Sequence, residues 1–163
     1  MRYFLLAALL FSCGPTPQAH CVTTQGVRFM GMYPSNEWVD PEKWSCEIFE
    51  YSQNRLVYAL LNDGGTYRNL DTDRLKGVEV WLHEGEWWTD EYKRDISGVT
   101  YCETKFVLIG NANNPRISAF PHELVHVMQG CNSPLPIDEG SDIDHSDWKR
   151  DGLYSAIDFA NGQ

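Results

Sequence analysis

We predict a single α+β domain with one small mixed sheet from two features of the sequence. The first is the hydrophobic pattern, in which apolar residues recur at helical spacing in some stretches and alternate or run together, as in strands, in others. The second is the order of these stretches, namely helix, strands, helix, loop and helix, which favours one sheet covered by helices. Roughly 150 residues follow the N-terminal leader, a length that suits one domain.

The chain begins with a segment typical of an exported protein. The apolar run at residues 3–11 follows an arginine, is too short to span a bilayer and has the layout of a secretory signal. The ending "LLFSC", residues 9–13, resembles the lipobox of bacterial lipoproteins, which implies cleavage after residue 12 and a lipid on Cys13. Because Gly14 is not an aspartate, the resemblance implies an outer-membrane location in a two-membraned bacterium. The alternative is plain secretion.

The mature chain is predicted to consist of a short tether, residues 13–20, and a folded domain, residues 21–163. The tether holds prolines and small residues that offer nothing to pack, so we expect it to be flexible. The net charge of −10, without a cluster of Lys or Arg, argues against a surface for nucleic acid or anionic lipid. We therefore expect the chain to meet the membrane only through its N-terminal lipid. We also expect a monomer.

The first part of the domain is predicted to contain a strand or hairpin and then a long helix. Residues 22–32 supply the strand or hairpin. The helix has Asp40 as its N-cap and Pro41 at its first position, and it ends at Gly64 and Gly65. The residues that should face inward at helical spacing are Cys46, Phe49, Leu56, Val57 and Leu60.

Two strands are predicted in the middle of the chain. Residues 77–83 alternate between aliphatic side chains, which should face the core, and Glu79, Trp81 and His83 on the opposite face. Residues 99–110 are predicted to form the second strand. The polar and aromatic stretch between them is interpreted as a connecting excursion.

The C-terminal part is predicted to contain a loop and two helices. Residues 111–117 are rich in turn formers. The next helix should begin at or just after Ser118, because Pro121 fits a helix only in its first turn, and "QGC" should end it. Ser146 is the predicted cap of the closing helix.

The first of these helices carries the motif His122-Glu123-Leu124-Val125-His126. Residues four apart project from one face of a helix, so the two imidazoles can take adjacent corners of one tetrahedral zinc ion. Zinc lowers the pKa of a bound water, and the intervening glutamate can take the proton of that water and pass it to a leaving amine. The alternative is a structural helix, but the uncharged Leu124 and Val125 favour a helix buried beneath a cleft.

The stretch "AFPHELVHVM" resembles the active-site helix of the zincin metallopeptidases. The resemblance implies a zincin-like domain with a long backing helix, in which His122 and His126 bind one Zn²⁺ ion and Glu123 is the general base. In zincins an edge strand beside this helix holds an extended substrate. The resemblance gives that role to the strand at residues 99–110, with residues 111–114 bordering the cleft.

A catalytic zinc site normally has three protein ligands and one open position, so a third ligand is needed. Asn132 stands where metzincins have their third histidine, which excludes that subgroup. The spacing is similar to that of thermolysin-type gluzincins and favours His145 as the third ligand. The alternative is Glu139, in a Glu-Gly pair similar to that of some gluzincins. Asp142 and Asp144 are further candidates for the third ligand, after Glu139.

Tyr154 lies nine residues beyond His145, on the closing helix. A tyrosine there could donate a hydrogen bond to the oxyanion formed during attack on a carbonyl. The alternative is an ordinary core tyrosine. We expect His83 to have a surface role and His20, in the tether, to take no part in function.

Four cysteines in an exported domain predict two disulfides. A strand from Cys102 to residue 109 spans about 23 Å, and a helix back to Cys131 spans about 20 Å. Because the two lengths nearly cancel, we predict a Cys102–Cys131 bond, which leaves Cys21 to pair with Cys46.

Three functions are compatible with the sequence. The first is a lipid-anchored, extracytoplasmic zinc metallopeptidase that acts on a peptide or protein substrate. The second is a catalytically inactive, zinc-binding, zincin-like lipoprotein that serves as a binding or structural module of the envelope. The third is a structural envelope protein in which the motif is accidental.

Overall fold

A mixed five-stranded sheet is central to the computed structural model, which describes residues 17–37, 45–62, 70–89, 94–101, 104–110, 119–130 and 153–162. In spatial order its strands are β1 (Cys21–Val22), β2 (Arg28–Met32), β3 (Glu79–Leu82), β7 (Phe106–Ile109) and β6 (Gly98–Tyr101). The three central strands are parallel, and each outer strand is antiparallel to its neighbour. A separate hairpin pairs β4 (Trp87–Thr89) with β5 (Arg94–Ile96) in the stretch predicted as an excursion.

Three α-helices accompany the sheet in the described residues: α1 (Cys46–Leu61), α2 (Ala119–Gln129) and α3 (Leu153–Ala160). A short 3-10 helix, Thr72–Leu75, precedes β3. These elements confirm the predicted α+β class with a small mixed sheet. Within the same residues, no helix combines the length and apolar character needed to cross a membrane.

Helix α1 begins later than the sequence predicted. Its N-cap is Ser45, which has an extended backbone and whose side chain accepts a hydrogen bond from the main-chain N–H of Ile48. Serine is as good an N-cap as aspartate, so two start signals compete within a few residues. The prediction of Asp40 as the N-cap of this helix is therefore wrong. The other predicted boundary residues lie outside the described part of the chain: Pro41, Gly64 and Gly65.

The single strand predicted at residues 99–110 is instead a hairpin. Strand β6 runs antiparallel to β7, with Tyr101 opposite Phe106. Near the reversal, Lys105 has a positive φ of 54°, which is uncommon for residues other than glycine. Since none of the residues from 102 to 105 is the Gly, Pro, Asn, Asp or Ser that usually marks a turn, the stretch looked continuous in the sequence.

One face of the sheet forms the core with the helices. Val78, Val80 and Leu82 are fully buried on this face, as the alternation at residues 77–83 predicted, and the fully buried Val107 and Ile109 of β7 lie beside them. Helix α1 contributes Phe49, Leu56 and Leu60 from its predicted inward stripe. The opposite face of the sheet is also partly covered. Trp81 lies there as predicted but is only 6% exposed, because the rings of Tyr33 and Phe106 pack against it.

Three phenylalanines at the centre of the core join the sheet to two helices. Phe29 of β2 stacks on Phe49 of α1 with ring centroids 3.7 Å apart. Phe120 of α2 meets both rings edge-on, at 5.3 and 5.2 Å. All three side chains are fully buried. This cluster therefore fixes where the start of α2 lies on the sheet.

The N-terminal segment is tied to α1 and the sheet. The structure contains the predicted Cys21–Cys46 disulfide, which connects β1 to the first residue of α1. Closing a loop between residues 25 positions apart contributes about 3 kcal/mol in the chain-entropy model. Cys102 and Cys131 lie outside the described residues. Their bond was predicted from one continuous strand, and the structure has two antiparallel strands there, β6 and β7.

The predicted tether overlaps the described part of the chain only at its end. His20 donates a main-chain hydrogen bond to the carbonyl of Phe29 at 2.7 Å, and its ring Nε2 lies 2.7 Å from the carbonyl oxygen of Asn36. Contacts with the folded domain therefore begin no later than His20. The predicted leader and the lipid site at Cys13 lie outside the described residues.

Candidate functional site

Helix α2 places the HExxH motif over the core. It begins at Ala119 in the described residues, with Pro121 in its first turn, which agrees with the predicted start. Seven of its eleven residues are buried: Phe120, Pro121, Glu123, Leu124, Val125, Val127 and Met128. The remaining face, which includes the two histidines, is half-buried. The helix is therefore held by its apolar side chains while it turns both imidazoles away from the core.

The imidazole rings of His122 and His126 lie side by side. Their centroids are 5.0 Å apart and their planes meet at 69°. Side chains four residues apart lie on the same face of a helix, and rings this close can each reach the same ion. Imidazole nitrogen is a ligand that zinc prefers, so the donor chemistry and spacing of this pair fit two corners of a tetrahedral site.

Glu123 is held between α2 and the edge strand β6. Its residue is only 5% exposed. The Thr100 hydroxyl lies 2.6 Å from Glu123 Oε2 and 3.2 Å from the Glu123 main-chain oxygen. On the same face of β6, Gly98 lies against the carboxyl group: a β-carbon built on Gly98 would be 2.5 Å from Glu123 Oε1.

Burial raises the pKa of the Glu123 carboxyl from an ordinary 4.5 to about 7, and the hydrogen bond with Thr100 acts in the opposite direction. Desolvation dominates because a carboxylate loses its water shell when it is packed between a helix and a strand. A carboxyl group with a pKa near neutrality can both take and release a proton at physiological pH. Glu123 is therefore electrostatically suited to proton transfer in the metal-free chain.

The C-terminal end of α2 is capped by the 3-10 helix. Arg74 donates from Nη1 to the Gln129 carbonyl at 2.7 Å, and the main-chain N–H of Asp71 donates to the Met128 carbonyl at 3.0 Å. Gly130 follows with a positive φ of 75°, and a β-carbon there would overlap the Arg74 guanidinium at 1.4 Å. The positive φ favours glycine at this position, and α2 ends where "QGC" predicted.

The third zinc ligand remains a prediction. His145, Glu139, Asp142 and Asp144 all lie outside the described residues. In the described ranges alone, no group of three or more His, Cys, Asp or Glu side chains that could hold a metal ion is found. Two of the predicted ligands and the predicted base are therefore placed, and the third ligand is not.

Two other residues singled out in the sequence are described. Tyr154 is half-buried on α3 and packs against the hydrophobic core, which is compatible with the alternative of a core tyrosine. Its role as an oxyanion donor remains a prediction. His83 follows β3, where its main-chain N–H donates to the Ile109 carbonyl at 2.7 Å and its Nδ1 lies 2.8 Å from the Gly85 carbonyl oxygen.

The strand at residues 99–110, which the sequence predicted to hold the substrate, is divided between β6 and β7. Strand β7 lies between β3 and β6, so its main chain is paired on both sides. Among the described strands, β6 is the edge strand beside α2. Of the two described parts of the predicted strand, only β6 lies at an edge of the sheet, and the substrate-holding role remains a prediction.

Comparisons with protein-family models, with curated proteins and with solved structures find no match to this chain.

Sequence reasoning missed Gly98 and Thr100 as partners of Glu123. Their contacts depend on the β6–β7 hairpin and on how α2 crosses it, neither of which has a local sequence signal. Residues two apart in a strand share a face, so Gly98 and Thr100 could have been paired from the sequence only if β6 had been recognised as a separate strand.

Proposed function

We propose that this chain is a zinc-dependent metallopeptidase of the HExxH type, located outside the cytoplasm and attached to a bacterial membrane by a lipid on Cys13. The observation that carries the proposal is the pair of imidazoles of His122 and His126, whose centroids lie 5.0 Å apart on one helix that also carries the buried Glu123. We also propose that the domain carrying these residues has a zincin-like fold.

In this function, His122 and His126 would hold one Zn²⁺ ion together with His145, or with Glu139 as the alternative. The ion supplies Lewis acidity and makes a bound water more acidic. Glu123 would accept the proton of that water and deliver it to the leaving amine.

The position of β6 supports a peptide as the substrate. Among the described strands it forms one of the two edges of the sheet, and α2 lies beside it at Gly98 and Thr100. An extended peptide can add to such an edge by main-chain hydrogen bonds, which would bring its amide groups alongside the helix that holds the motif.

The burial of Glu123 favours a second candidate, a zinc-binding module without peptidase activity. A residue that is 5% exposed and hydrogen-bonded to Thr100 has the environment of a structural glutamate as well as that of a base. In that case His122 and His126 would still bind zinc, but the metal would stabilise a binding surface of the envelope.

The two candidates are separated by metal content and turnover in the same preparations. We expect the wild-type chain and Glu123→Gln to bind one zinc ion each, whereas Glu123→Gln cleaves a quenched fluorescent peptide library at least about 100-fold more slowly. His126→Ala should lose both zinc and activity. Glu47→Gln, which removes an exposed carboxylate from α1, is the matched control and should change neither.

Each contrary result points to a different function. A wild-type chain that holds zinc but cleaves no peptide in the library would support the binding module. An active Glu123→Gln variant would exclude Glu123 as the base. A chain purified without stoichiometric zinc would contradict both metal functions.

A further inference from the structure

We propose that Thr100 is a positioning residue that holds the Glu123 carboxyl group in place for catalysis, in a space that Gly98 leaves open. This inference rests on the proposed peptidase function and adds residues that lie on a different element from the HExxH helix. It follows from the contacts between β6 and α2.

The Thr100 hydroxyl contacts both ends of Glu123. Its oxygen lies 2.6 Å from Oε2 and 3.2 Å from the main-chain oxygen of the same residue. Threonine is β-branched and stiff about its first side-chain torsion, and its backbone is fixed by pairing with Val107 of β7. The position of the hydroxyl is therefore fixed, and its hydrogen bond holds the longer side chain of Glu123.

Gly98 is required for the same arrangement. A β-carbon at this position would lie 2.5 Å from Glu123 Oε1, closer than real β-carbons approach other atoms, and 3.0 Å from both Cδ and Cγ. Glycine weakens a strand, and its presence in one often marks a close approach by another group. Here that group is the glutamate carboxyl, so Gly98 and Thr100 form two sides of one receptacle on β6.

A hydroxyl is a suitable partner for a group that gains and then loses a proton. Thr100 can donate its hydrogen to Oε2 while Glu123 is a carboxylate. After Glu123 has taken a proton from water, the carboxyl can donate to the Thr100 oxygen, and the hydroxyl hydrogen can turn to the Glu123 main-chain oxygen 3.2 Å away. When that proton passes to the nitrogen of the leaving amine, the first arrangement returns. The side chain is thus held in the same place throughout.

The test compares Thr100→Val with Thr100→Ser in the full, zinc-loaded chain. Valine keeps the shape and strand preference of threonine but has no hydroxyl, whereas serine keeps the hydroxyl. We expect Thr100→Val to retain one zinc ion and a KM within about threefold of wild type while its kcat falls by about tenfold or more. Thr100→Ser should retain a kcat within about threefold of wild type. A merely structural role would not produce a loss confined to kcat that serine rescues.

A second measurement keeps the inference independent of turnover. In protein labelled with ¹³C at the glutamate carboxyl carbons, the Glu123 signal is assigned by its absence from Glu123→Gln. We expect this signal to move in Thr100→Val and to stay near its wild-type position in Thr100→Ser.

The inference is overturned if Thr100→Val keeps the wild-type kcat, if valine and serine lower kcat equally, or if the Glu123 signal is unchanged in Thr100→Val. A wild-type chain that binds zinc without cleaving peptides contradicts the proposed function and removes the catalytic role of Thr100. The carboxyl signal then still reports whether Thr100 holds Glu123, so the two failures are distinguishable.

Discussion

Replacing Glu123 with glutamine should remove a pH dependence of stability worth about 3 kcal/mol from the metal-free protein. Burial raises the pKa of this carboxyl from 4.5 to about 7. Between these two values the folded state binds more protons than the unfolded state, so the free energy of unfolding falls as the pH rises. The stabilising contribution is complete below pH 4.5 and is lost as the pH passes through about 7.

The measurement is urea denaturation of the chelator-treated wild type and Glu123→Gln at pH 5 and pH 8. All other carboxyl groups are common to both proteins, so the difference between their pH dependences isolates Glu123. We expect the glutamine variant to gain relative stability at pH 8. The exposed Glu47→Gln variant controls for the loss of one carboxylate. Parallel stability changes in wild type and Glu123→Gln would show that the carboxyl is not desolvated as described.

Phe120→Ala should destabilise the fold by about 3–5 kcal/mol, which is comparable to the whole stability of a small domain. The Phe120 ring is fully buried and meets Phe29 and Phe49 edge-on. Its removal leaves a cavity where β2, α1 and α2 join, and a fixed sheet cannot collapse to fill it. Because Phe120 is two residues before His122, the start of the motif helix should lose its anchor as well.

Urea denaturation also checks this expectation. Tyr58→Ala removes a large aromatic ring that is 61% exposed on α1, and it should cost less than about 1 kcal/mol. Phe120→Leu retains much of the apolar volume and should fall between the two, so it remains informative if the alanine variant does not fold. Equal losses for Phe120→Ala and Tyr58→Ala would be incompatible with the described core.

The sequence predicted best the elements whose pattern is local. The alternation of Val78, Val80 and Leu82 predicted β3, and Pro121 with "QGC" predicted both ends of α2. Each of these signals depends on residues within one element, where side-chain period and helix termini determine the outcome. The Cys21–Cys46 bond was also predicted, because these two cysteines remained after Cys102 was paired with Cys131. The structure contains this bond, but the Cys102–Cys131 bond remains a prediction.

Predictions from the sequence were wrong or missing where tertiary contacts or competing local signals determine the structure. The turn between β6 and β7 passes through Lys105 at positive φ, without a residue type that would mark it. Two capping signals lie close together before α1, and Ser45 rather than Asp40 is the cap. The environment of Glu123 could not be predicted, because Gly98 and Thr100 reach it only through the pairing of β6 with β7 and the crossing of α2 over both strands.

X-ray absorption at the zinc edge, measured on the purified wild-type chain and on a His122→Ala/His126→Ala variant, tests the metal site most directly. We expect one zinc ion per wild-type chain, with at least two imidazole nitrogens at about 2.0–2.1 Å, and no bound zinc in the double variant. Absence of stoichiometric zinc from the wild type, or a zinc environment that is identical in both proteins, would contradict the assignment of His122 and His126 as ligands.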